Sequence, residues 1–76
     1  MLTYNEKRII EIEMVNVINQ NPNGINTRNL ISQVLNSVSA FIPNVNRHHI
    51  SGMIAWVIKT YNFSFLIRTP GYSVIS

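Results

Sequence analysis

Three times along this chain a helix-capping residue opens a run of apolar residues spaced three and four apart: Thr3, Asn26 and Asn46. That repeated device commits most of the chain to helices that bury one face. Thr3 with Glu6 three residues on has the form of a capping box. Ile10, Met14, Val17 and Ile18 then share one side, which predicts a first helix over residues 3–20. Asn26 caps a second over 27–38, whose stripe is Leu30, Ile31, Val34, Leu35 and Val38. Asn46 caps a third over 47–61, with Ile50, Ile54, Val57 and Tyr61 inward. In the last two, an apolar residue just before the cap (Ile25, Val45) can close on one four positions after it (Leu30, Ile50) as a hydrophobic staple.

The connections carry turn chemistry. Asn21-Pro22-Asn23-Gly24 ends the first helix, and Ile25 is expected to add a very short strand. Residues 39–45 form a connector around Pro43, in which Phe41 and Ile42 are too apolar for an exposed loop and are expected to plug the core. After Asn62 the period changes. Residues 63–68 read as a strand, Thr69-Pro70-Gly71 as a turn, and 72–75 as the returning strand.

With 76 residues there is room for one domain, spanning 1–76, which buries a modest fraction of its surface. No cysteine is present, so a disulfide framework, a thiolate metal site and a cysteine nucleophile are excluded. The apolar core must carry stability, and 46% hydrophobic content supplies it. Helix 1 has more apolar surface than one core contact needs. Ile9, Ile12 and Val15 lie largely off its main face, either covered by helices 2 and 3 or forming a homodimer seam. The polar first eight residues lead into a charged helix, so neither a secretory leader nor a membrane span is expected, and the location expected is cytoplasmic.

Net charge is +3, unevenly spread. All three acids, Glu6, Glu11 and Glu13, fall in the first helix. From Gly24 onward there are Arg28, Arg47, Lys59 and Arg68, two histidines and no acid. A basic stretch without counter-charge suits an anionic partner, most simply nucleic acid; the plain alternative is a few solvated bases. There are no paired carboxylates near histidine, no nucleophile elbow and no phosphate loop, so neither enzyme activity nor a cofactor is expected. His48 and His49 are adjacent and point about 100° apart on a helix, so a shared metal is not expected either.

Helix, helix, helix, hairpin in that order resembles the winged helix-turn-helix family. The resemblance rests on the capped second and third helices and on Arg68-Thr69-Pro70-Gly71-Tyr72-Ser73-Val74, which looks like the wing of such domains. It implies a mainly α (α+β) fold with a C-terminal β-hairpin wing. Helix 3 would enter the major groove of double-stranded DNA and the hairpin would flank it. His48, Ser51, Gly52, Ala55 and Lys59 lie on the outward side of helix 3. Arg47 is then placed to pair with guanine, His48 and Ser51 to hydrogen-bond bases or phosphates, Lys59 and Arg28 to hold phosphates, and Arg68 to enter or flank the minor groove. A homodimeric transcriptional regulator follows, because one copy offers few basic contacts. A stand-alone chain of this composition would suit a virus, phage or plasmid, acting in the host cytoplasm if viral.

A second function class uses the same fold. A protein-binding adaptor or inhibitor would meet its partner through Gly52, Ala55 and Trp56 on helix 3, without binding DNA. Trp56 has a plainer role as a cap on the core or a buttress for the hairpin. Tyr72 is expected to pack under the hairpin rather than stack on a base.

Overall fold

A computed structural model describes residues 2–22, 24–63, 67–69 and 72–73. Among them the chain is mainly helical, in the order α1 (Tyr4–Asn19), β1 (Ile25–Asn26), α2 (Thr27–Val38), α3 (Arg47–Tyr61), β2 (Ile67–Thr69) and β3 (Tyr72–Ser73). None of these helices is long and apolar enough to cross a membrane.

The caps fix where each helix begins. The Thr3 hydroxyl accepts the Glu6 N–H (3.1 Å) while the Glu6 carboxylate accepts the Thr3 N–H (2.9 Å), the reciprocal box expected from their spacing. Asn26 Oδ1 accepts the Asn29 N–H at 2.7 Å and opens α2. Asn46 opens α3, and here the returning partner is His49, whose Nδ1 accepts the Asn46 N–H at 3.2 Å. Asn62 closes α3 in the left-handed conformation (φ 60°), which asparagine tolerates better than most residues.

The connections follow from turn chemistry. The Asn21 side chain donates to Val17 O at 2.7 Å at the end of α1. Gly24 N–H then returns to Asn21 O, with Pro22 at the second position and Gly24 at φ 104°. Past α2 the chain makes one more helical turn, Ile42 N–H to Val38 O, and then a turn with Pro43 second, Val45 N–H to Ile42 O. In this connector Ile42 is completely buried, but Phe41 is 71% exposed. The expectation that both plug the core holds for one of them. Adjacent residues point different ways, and the single slot is taken by Ile42.

The core lies where the three helices meet. Ile10, Met14 and Ile18 of α1, Leu30 and Val34 of α2, and Ile50 and Val57 of α3 are buried, with Ile25 and Ile42 added from the connections. Leu35 and Val45 pack against this cluster half-buried. Tyr61, expected inward, is instead 38% exposed, and its ring stacks on Phe63 (5.7 Å between centroids). The expected short strand at Ile25 is present, and it pairs in parallel with β2, Ile25 opposite Ile67 and Asn26 opposite Arg68. β2 pairs antiparallel with β3, Arg68 opposite Ser73 and Thr69 opposite Tyr72. Of the expected C-terminal hairpin, residues 64–66, the turn residues 70–71 and residues 74–75 lie outside the described residues.

Candidate nucleic-acid interface

The outward side of α3 is assembled from its N-terminus. Asn46 and His49 close the cap, and Ile50 drops into the core one residue later. With Ile50, Ile54 and Val57 inward, the helical period turns His48, Ser51, Ala55 and Lys59 to the opposite side, and all four are exposed. His48 and Lys59 stand about 16 Å apart along the axis. The Ser51 hydroxyl donates to His48 O at 3.3 Å, which leaves its lone pairs outward. His49 is turned aside by its bond to Asn46, so the two adjacent histidines serve different surfaces.

Arg47 does not point straight out. Its Nη1 donates to Ser32 Oγ on α2 at 3.3 Å. Ser32 lies one turn after Arg28 on the same side of α2, and Arg28 is exposed. The start of α3 and the start of α2 thus bring two guanidinium-bearing side chains to one surface. Arg68 lies in the middle of β2, its backbone paired with Asn26 on one side and Ser73 on the other. Asn26 is the N-cap of α2, two residues before Arg28.

No acid exists in α2 or α3. Among the described residues the one ion pair is Arg8 with Glu11 on α1, at 3.3 Å. The charges of Arg28, Arg47 and Lys59 are therefore not neutralised within the described chain. No group of three or more His, Cys, Asp or Glu among the described residues is placed to hold a metal ion.

Gly52 belongs to this side of α3 and also borders a second feature. A groove of about 350 Å³ runs between α1 and α3, lined by Tyr4, Lys7, Arg8 and Glu11 from α1 and by Gly52, Met53 and Trp56 from α3. A Cβ built on Gly52 meets nothing within 4 Å. Glycine in a helix interior costs about 1 kcal/mol relative to alanine, and no neighbour in the described structure requires it here. Trp56, half-exposed at 52%, stands in this groove rather than over the core.

The floor of the groove holds a residue that sequence reading missed. Glu11 is only 5% exposed. It takes the Arg8 guanidinium on one side and accepts the Tyr61 hydroxyl on the other. That bond, with desolvation and the carboxylate's charge, holds the Tyr61 phenol above its ordinary value near 10, while Arg8 opposes the shift. The signal was present in the spacing: Glu11 precedes Met14 by three and Ile18 by seven, which sets it on the edge of the core stripe.

The residues expected to form a dimer seam are divided. Ile9 and Val15 are half-buried and pack against the core, and Ile12 alone of the three is exposed, at 51%.

No family model matches the chain, and no curated protein or solved structure matches it either.

Proposed function

We propose that this chain is a small duplex-DNA-binding domain of the winged helix-turn-helix kind, acting as a homodimeric regulator. The outward side of α3 enters the major groove, the start of α2 meets the backbone, and the β2–β3 hairpin lies alongside as a wing. The observation that supports this most is the acid-free surface of α2 and α3, where Arg28, Arg47, His48, Ser51 and Lys59 are exposed with no carboxylate among them. An acid-free basic surface is what attracts a polyanion, because no cation has to give up a carboxylate before it meets phosphate. Small residues in mid-helix, Gly52 and Ala55, let the backbone approach the groove closely.

In this arrangement Arg28 and Lys59 hold phosphates and set the register. Arg47 and His48, at the N-terminal end of α3, reach base edges. Arg68 enters or flanks the minor groove. A second copy doubles the contacts, with exposed Ile12 at the seam.

The test is the pair of substitutions Arg47→Ala and Lys59→Ala, measured for duplex binding across a salt series. The helical circular-dichroism signal should stay intact, since both side chains are exposed. The log–log salt slope should shrink in magnitude by about 1 for each phosphate that the variant no longer neutralises. Unchanged affinity and slope in the double variant would remove this surface from the proposal.

A further inference from the structure

We propose that the groove between α1 and α3 docks a segment of a partner protein that presents one large apolar side chain with a carboxylate beside it. The proposal stands independently of DNA binding. The groove's volume, about 350 Å³, lies at the lower end of the range for ligand pockets, enough for a single bulky group. Its walls are rings left in water: Tyr4 on α1 is 76% exposed and Trp56 on α3 is 52% exposed. Tyrosine and tryptophan in such positions are the residues that most often anchor a protein partner. Between them Gly52 faces open space, so a residue unfavourable to its own helix keeps the groove unfilled.

Charge decides the class of occupant. Glu11 lines the groove but presents no free negative charge, because it is buried and shared between Arg8 and Tyr61. Lys7 also lines it and is exposed, and the ion pair among the described residues belongs to Arg8. The groove therefore offers apolar walls and one available cation. A nucleic-acid strand fits less well, since a line of phosphates needs several free cations and this groove offers Lys7 alone. One carboxylate next to an apolar anchor meets Lys7 alone.

The test uses the intact chain labelled with 15N and three probes: N-acetylphenylalanine, its neutral amide, and dAMP. The chain has one tryptophan, so one indole N–H signal reports on the groove. N-acetylphenylalanine should shift that signal and the Gly52 amide in a saturable, millimolar titration, as expected for a fragment of this size. The amide should bind about two- to fivefold more weakly, and Lys7→Gln should erase that difference. Gly52→Leu should abolish the shifts while raising the thermal midpoint, because leucine fills the groove and favours the helix. The proposal is overturned if neither phenylalanine compound shifts the Trp56 signal, if acid and amide bind equally well, or if Gly52→Leu still binds. It is also overturned if dAMP shifts the signal at lower concentration than N-acetylphenylalanine, which would make the groove a nucleotide site.

Discussion

The Tyr61 hydroxyl, in the last turn of α3, donates to the Glu11 carboxylate near the middle of α1, fifty residues earlier. This bond ties the two helices that border the groove, and Arg8 completes it from the other side of Glu11. It also raises the phenol pKa of Tyr61. Tyr61 has a raised phenol pKa in the folded chain, so the protonated phenol is favoured by folding. The stability this contributes is fully present below about pH 10 and fades as pH rises through the folded value. Absorbance titration of tyrosinate in the wild type minus that in Tyr61→Phe isolates the Tyr61 step, which should lie above the ordinary value near 10. Denaturant unfolding above pH 10 should fall more steeply with pH in the wild type than in Tyr61→Phe. A Tyr61 step at the ordinary value would contradict the bond.

Phe41 and Ile42 are neighbours with opposite fates, 71% exposed and fully buried. Phe41→Ser should change stability by less than about 0.5 kcal/mol, as surface substitutions do. Ile42→Ala should cost about 2–5 kcal/mol, through reduced burial and the cavity left behind. Chemical denaturation of both variants checks the pair, and a large destabilisation from Phe41→Ser would place that ring against the core.

Gly52 occupies a helix interior with empty space where its side chain would be. Gly52→Ala should therefore stabilise the domain by up to about 1 kcal/mol, with no clash to offset the gain. A lower thermal midpoint in this variant would mean that something in the chain does press on that position.

The α3 cap is a reciprocal pair, Asn46 with His49. Asn46→Ala should cost about 1 kcal/mol. His49→Gln should be close to neutral, since glutamine fills this position of a capping box equally well. Thermal unfolding of the two variants measures the difference, and equal destabilisation would give His49 a role beyond the cap.

The helices were legible because their signals are local. Capping residues and apolar spacing give Tyr4–Asn19, Thr27–Val38 and Arg47–Tyr61 to within a residue. The misses share a different origin, since they depend on what a distant element presents. Spacing places Glu11 with Glu6 and Glu13 in the first helix, and its burial becomes tolerable once Tyr61 arrives from α3 to join Arg8 on its carboxylate. Phe41 is apolar enough for the core, but Ile42 takes the slot. The apolar surplus of α1 was legible as a surplus, yet its division into Ile9 and Val15 packed inward and Ile12 outward depends on how α1 sits against its neighbours. The exposure of Arg28, His48 and Lys59 follows from the helical period, but the lean of Arg47 onto Ser32 does not. The groove was not readable, because it is the gap between two helices and no single stretch of sequence encodes it.

The most direct measurement of the central claim is the binding of the purified chain to random duplex DNA across a salt series. DNA binding by a dimer through the acid-free surface predicts affinity that falls steeply with salt, with a log–log slope of magnitude about 4 or more. Absence of binding at about 50 mM salt, where phosphate contacts are strongest, would contradict it.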